Sequence, residues 1–383
     1  MGIPVYFKTI VSNYQDTILH KGKLNGINNI FFDLNCLIHP CCRGLTDEQE
    51  MIDKVISEIY RIIEYTAVTD LIYIAIDGIA PKGKMKQQRM RRYKKSIELK
   101  YVSEKAWNTN AISPGTYFMK KLSHRLKEFI QEHSELNIIL SDSTERGEGE
   151  HKILHYIKRN KLNGNVCIYG LDADLVMLAL VSRRNDIFLL RERTEYNIED
   201  TEEEFIYLKI DVLKNHLLDS MNLSRIVNKD QIIDDYIFMC FLLGNDFINH
   251  MPSLNLRYGG HDTLLEIYTL LQGRYQGYFC LIDREIDNFI HLSFLKEFMN
   301  ELMLKEKHIV RKISFIREKQ YKKIMNQYNE SFNEFKKYIL DGDKNESQWC
   351  SKGLSLEDIY SFQYNSLLVQ KDVSKMIENL PLL

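Results

Sequence analysis

The sequence predicts an α/β fold, a mixed and mostly parallel sheet flanked by helices, followed by a helical C-terminal appendage. Three observations carry this. Short apolar runs end at acids: Asn29-Ile30-Phe31-Phe32-Asp33, Leu71 to Ile76 before Asp77, Leu136 to Leu140 before Asp142, and Val166 to Tyr169 before Asp172 and Asp174. Between the first two runs, Ile52, Val55, Ile56, Ile59, Ile62 and Ile63 recur at helical spacing, as a crossover between parallel strands requires. After Gln272-Gly273-Arg274-Tyr275-Gln276-Gly277 the composition shifts towards Lys, Glu and Asn in long amphipathic segments such as Phe294 to Lys323. A sheet domain over 1–275 and a mainly helical region over 276–383 are therefore expected.

Taken in order, Met1 to Phe7 leads into a short amphipathic segment reaching about Leu19, and the first strand delivers Asp33. The crossover helix and second strand follow, ending at Asp77. Ile112-Ser113-Pro114-Gly115-Thr116 is a turn opening a helix from Tyr117 to about Glu132, with Phe118, Leu122, Leu126, Phe129 and Ile130 on its core face. The third strand ends at Asp142. Glu148 and Glu150 stand at the entry of the next helix, where Gly147 and Gly149 permit an irregular backbone that turns both inward. Asp172 and Asp174, in an extended segment, share a face. Ile187 to Leu190 and Phe205 to Ile210 suggest a hairpin, and from Asp211 the chain is largely helical, with Asp246 after the apolar segment Phe238 to Leu243.

Composition narrows the function. With 383 residues, 44% of them hydrophobic, the chain can bury a large core. Its net charge of -2 provides no global positive field, so any nucleic-acid contact must come from local basic clusters. No run of about 18 uncharged apolar residues occurs and no signal-peptide core opens the sequence, so no membrane contact and a cytoplasmic location are expected, the nucleus being the alternative. The seven cysteines are irregularly spaced and fit reduced core residues; Cys36, His39, Cys41 and Cys42 lack a second half for a zinc site.

In open α/β sheets ligands bind beyond the carboxyl ends of the strands, where these acids collect. Converging carboxylates repel unless a hard cation neutralises them, and oxygen donors suit magnesium or manganese. A solvated acidic loop would explain any one of these acids; their recurrence at strand ends favours a shared metal site. Immediately after Asp77, Pro81 to Lys95 holds eight Lys or Arg and no acid. As a helix it aligns Lys84, Gln88, Arg91, Arg92 and Lys95 in one stripe, whose mutual repulsion calls for an anion such as phosphate. In isolation the same stretch would be a solvated helix or a nuclear localisation signal. His39 is close enough in sequence to Asp33 to share the site, although a histidine among apolar residues is more often structural.

These motifs together resemble the eukaryotic 5′→3′ exoribonucleases of the Xrn family. The likeness runs through Met1-Gly2-Ile3-Pro4, Phe32-Asp33-Leu34-Asn35 with His39, Ile76-Asp77-Gly78, Pro81 to Arg92, Ser113-Pro114-Gly115-Thr116, Glu145 to His151, Gly170 to Asp174, and Leu243-Gly244-Asn245-Asp246-Phe247. The resemblance implies a catalytic core like that of PIN and flap nucleases. It also implies seven carboxylates, Asp33, Asp77, Glu148, Glu150, Asp172, Asp174 and Asp246, holding two magnesium or manganese ions. By the same resemblance Lys84, Gln88, Arg91 and Arg92 form the 5′-monophosphate pocket and His39 stacks on a base. The implied activity is stepwise release of nucleoside 5′-monophosphates from single-stranded RNA in RNA decay, with the decapping machinery as the candidate protein partner. A structure-specific flap nuclease on DNA and an inactive RNA-binding scaffold are the alternatives. The last hundred residues, with only Trp349 among them, show no motif of the family's Trp- and Tyr-rich second region, so a shortened, divergent member is expected.

Overall fold

The structure, a computed structural model, describes residues 6–19, 26–98, 107–193, 204–221, 228–245, 250–251 and 253–340, with backbone alone for most of 321–340. Among the described residues seven strands form one sheet: β1 (Ile18–Leu19), β2 (Asn29–Asp33), β3 (Leu71–Ala75), β4 (Ile138–Ser141), β5 (Val166–Tyr169), β6 (Ile187–Glu192) and β7 (Phe205–Lys209). Their spatial order is β1-β7-β6-β5-β2-β3-β4. β4, β3, β2, β5 and β6 run parallel, whereas β7 joins β6 as the expected antiparallel hairpin and β1 closes that edge.

The helices within the sheet region are α1 (Tyr6–Asn13), α2 (Asn35–Cys41), α3 (Glu48–Thr66), α4 (Lys82–Glu98), α5 (Tyr117–Glu132), α6 (Gly149–Arg159), α7 (Asp174–Val181) and α8 (Ile210–Ser220). Each parallel connection has its crossover helix: α3 from β2 to β3, α5 from β3 to β4, α6 from β4 to β5, α7 from β5 to β6. Asp47 starts α3 by accepting the Glu50 N–H at 2.9 Å. Side chains alternate between two cores. Ile30, Phe32, Ile72 and Ile74 pack with α3 and α5 on one face, and Phe31, Tyr73, Val166 and Ile168 pack with α6 and α7 on the other. Both faces of β2 and β3 are therefore buried, which is why Ile30 to Phe32 and Leu71 to Ala75 are unbroken apolar runs.

After β2 the chain builds β3 and β4 outward on one side, then returns through α6 to lay β5 on the other side of β2. The strand order reverses between β2 and β5, and the crevice at that reversal is the natural ligand position. Two elements had no expectation. β1 has only two residues and so no period, and α2 follows β2 at once and contains Pro40, which usually signals a break.

The chain divides into two compact units, 1–309 and 310–383. The first also contains α9 (Lys229–Leu242) and α10 (Gly260–Arg274), and α11 (Leu292–Leu340) starts in it. Two buried acids of α9 organise this part. Asp234 accepts two hydrogen bonds from Arg284, at 2.7 and 2.8 Å, and one from Arg183 at 3.0 Å. Asp235 accepts the N–H groups of Leu281 and Ile282 at 2.9 and 2.7 Å and the Tyr268 hydroxyl at 2.7 Å. No described helix is long and apolar enough to cross a membrane.

Candidate active site

Asp33 is the last residue of β2, and in the parallel register it lies level with Ala75 of β3, while Phe32 lies level with Tyr169 of β5. Asp77 and Asp172 follow those partners by two and three residues, so three carboxylates converge on the crevice beside the β2–β5 reversal. Asp77 is oriented from two sides. Asn35 donates to its carboxylate at 3.0 Å and accepts its backbone N–H at 3.1 Å, and the Gly149 N–H donates to it at 2.7 Å. Gly149 begins α6, so the positive end of that helix points at the acids. A side chain would not fit: a Cβ there would lie 2.8 Å from Asp33 Oδ1. Glu148 and Glu150 flank this glycine and are 1% and 6% exposed, both turned inward as the glycines allowed.

Asp33, Asp77, Glu148, Glu150 and Asp172 line one cavity of about 320 Å³ together with Arg43, Lys84 and Arg91. Among the described residues five carboxylates thus face three Lys or Arg side chains. The excess is felt: burial and then the charge of Asp77 push the Asp33 carboxyl up to about 7. Burial also raises Glu150 well above the usual carboxylate range, with Asp33 and Asp174 adding to it. Ligand-capable atoms of Asp33, Cys36 and Asp172 lie within 4.8 Å of one another, as do those of Glu148, Glu150 and His151. Oxygen donors with uncompensated charge are the set that a hard divalent cation satisfies. Asp174 opens α7 and bears on Glu150 electrostatically without lining the cavity. Asp246 lies outside the described residues.

The opposite wall comes from α4. Lys84, Gln88 and Arg91, about one and two turns apart, line the same cavity. The Lys84 ammonium, buried, is ion-paired with Glu148 Oε1, so the cationic and acidic walls touch. Arg92 sits on another flank of α4 and lines an adjoining groove, while Lys95 lines neither. His39 presents an exposed ring at the cavity rim. Partial burial of the imidazole against the protein, with Arg91, lowers its pKa, and Asp77 opposes that shift.

Several contributors were given no role at this site from the sequence: Asn35, Cys36, Arg43 and Lys152. The Lys152 ammonium donates to the carbonyls of Ile76 and Asp142, each at 2.8 Å, pinning the chain beyond β3 to the chain beyond β4. Only its i+4 spacing from Glu148 could have placed it on that side of α6. Asp142, expected among the converging acids, turns elsewhere. It accepts the Thr144 N–H at 2.9 Å and pairs with Lys127 at 3.2 Å, because β4 is the edge strand, two places from the reversal.

Residues 1–193 match the family XRN 5'-3' exonuclease N-terminus, and residues 226–377 match the Xrn1 helical domain. The second match reaches into the last hundred residues, where the sequence showed no family motif. Amphipathic helices keep their packing while exchanging residues freely, so no short motif survives to be recognised. The chain is 31% identical over 355 residues to a protein of Eremothecium gossypii named 5'-3' exoribonuclease 2, covering 70% of this chain and 38% of that protein. With a Gallus gallus protein of the same name it is 29% identical over 377 residues, covering 73% and 40%. It thus spans about two fifths of the length of these relatives. Among solved structures it is similar to the catalytic core of Rad2 in complex with DNA substrate, at 12% identity and a TM-score of 0.42, covering 73% of this chain and 74% of that one.

Proposed function

Since this chain belongs to the Xrn 5′→3′ exonuclease family, we propose that it degrades single-stranded RNA from a 5′-monophosphate, releasing nucleoside 5′-monophosphates. One observation carries this: the carboxylates and the cations Lys84 and Arg91 line a single cavity, with their walls in contact at Lys84 and Glu148. A terminal phosphate and a scissile phosphodiester can then be held within one nucleotide of each other.

Asp33, Asp77, Glu148, Glu150, Asp172 and Asp174, with Asp246, are the residues that would hold two magnesium or manganese ions. When bound, such a pair supplies an activated water and neutralises charge on the scissile phosphate and leaving oxygen. The protein does the positioning. Asn35 and the Gly149 N–H fix Asp77, and Lys152 fixes the loops from which Asp77 and the α6 entry extend. Lys84, Gln88 and Arg91 bind the terminal phosphate, the guanidinium matching two of its oxygens, with Arg92 behind them. His39, neutral, lies flat against the terminal base. We propose that a 5′ group longer and more charged than a monophosphate is excluded by size, so that the end is also the specificity element. Decapping yields ends of this kind, so the role we propose is RNA decay in the cytoplasm with the decapping machinery as partner, the nucleus being the alternative.

The test uses 3′-labelled RNA bearing a 5′-monophosphate, 5′-triphosphate or 5′-hydroxyl, with magnesium. Loss of the monophosphorylated RNA alone, abolished in the Asp172→Ala/Asp174→Ala variant, is the expected result. Cleavage at junctions whatever the 5′ group would favour a flap nuclease, and binding without cleavage a scaffold.

A further inference from the structure

Two cations of α4, Lys86 and Arg89, have no part in the function proposed above. They are exposed and, with Arg92, line a groove of about 610 Å³ on the flank of α4 next to the catalytic cavity. Among the described residues none of the three cationic groups is paired with a carboxylate. Among the described residues no acid lines the groove, and α4 has none before Glu98, so the like charges along this flank lack compensation within their helix. Beside the cations the groove exposes apolar surface, with Ile79 62% and Met85 44% exposed. Gln88 lines both the groove and the cavity, so the two adjoin along α4.

We propose that this groove is a second RNA site, which takes the sugar-phosphate backbone of a single-stranded segment distant from the 5′ end held in the cavity. It rests on the exoribonuclease function proposed above. Closely spaced cations pair with successive phosphates, and the apolar atoms of Ile79 and Met85 offer a surface against which base faces lie without sequence readout. An acidic protein would use the cations but leave the apolar strip uncovered. The site retains the substrate between cuts and acts on long RNA only, because a few nucleotides held by the terminal phosphate do not extend to both places.

The experiment compares the full chain with a Lys86→Ala/Arg89→Ala variant, metal withheld by chelation, binding a long 5′-monophosphorylated oligouridine and a 5′-monophosphorylated trinucleotide over a range of salt. The slope of log affinity against log salt for the long RNA should shrink by about 1.4, two contacts at about 0.7 each for a single strand. Trinucleotide binding should be unchanged, which also shows that the variant is folded. An unchanged slope for the long RNA overturns the site, and so does an equal loss for the trinucleotide, which would make these residues part of the end pocket. A wild-type chain that binds neither RNA overturns the exoribonuclease function, and this site with it.

Discussion

Gly149→Ala isolates the geometry of the acidic centre from the stability of the fold. The new Cβ would stand 2.8 Å from Asp33 Oδ1, 3.3 Å from the Ala75 carbonyl oxygen and 3.5 Å from Asp77 Oδ1. Comfortable carbon–oxygen contacts lie at roughly 3.3–3.6 Å, so the Asp33 carboxylate must yield by at least about 0.5 Å. It is 5% exposed, accepts the Cys36 thiol at 3.2 Å, and has the charges of Asp77 and Asp172 close by. Overpacking costs about 1–3 kcal/mol, and the helical preference of Ala over Gly returns about 0.5–1 kcal/mol, leaving a modest loss of stability. The chemical loss is larger, since a ligand group misplaced by about 1 Å costs on the order of 100-fold in rate. Hydrolysis of 5′-monophosphorylated RNA at saturating magnesium, with the Tm of the same samples, separates the two effects. Gly273→Ala is the control: it lies in α10, its Cβ would meet nothing within 4 Å, and it should raise the Tm with activity intact. A Gly149→Ala protein with wild-type rate and magnesium dependence would refute the packing of α6 against the acids.

Lys84→Met removes the lysine paired with the buried Glu148; breaking such a pair costs roughly 3–5 kcal/mol, so the metal-free Tm should fall, magnesium should recover part of it, and the preference for a 5′-monophosphate should vanish. Because burial and Asp77 raise Asp33 to about 7, its proton competes with metal: by calorimetry, magnesium affinity should fall roughly tenfold per pH unit below 7 and level off above it. The same raised carboxyl favours the metal-free fold at low pH, so its contribution is lost as pH rises from about 4 through about 7, which a denaturant titration across that window would show. Asp234→Ala removes the partner of Arg183 and Arg284; with both arginines about half exposed and screened by water, the expected loss is near the lower end of about 1.5–3 kcal/mol in urea unfolding, with hydrolysis unchanged.

The sheet and most of the site were legible in the sequence for one physical reason. Strands buried on both faces must be apolar throughout, so the acids that end them stand out; Asp33, Asp77 and Asp172 were found in this way. Sequence could not say which strand ends are neighbours. Asp142 ends its strand as they do, yet β4 is at the edge and its carboxylate serves Lys127 and Thr144. The helical stripe on α4 was legible as a stripe, but a stripe does not reveal where its wall ends: Lys84, Gln88 and Arg91 face the cavity, and Arg92 faces the next groove. Lys152 and Asn35 act through backbone groups and through another side chain, contacts that depend on tertiary structure and leave no local pattern.

The central claim is that a terminal phosphate and the acidic centre share one cavity, so that cleavage falls one nucleotide from the end. A time course with 5′-labelled, 5′-monophosphorylated single-stranded RNA and magnesium tests it directly. The label should appear as nucleoside 5′-monophosphate from the earliest time point, with no labelled oligonucleotide at any stage. Label accumulating first in oligonucleotides of several residues would contradict the account, since cleavage would then fall away from the cavity that Lys84, Arg91 and the five carboxylates enclose.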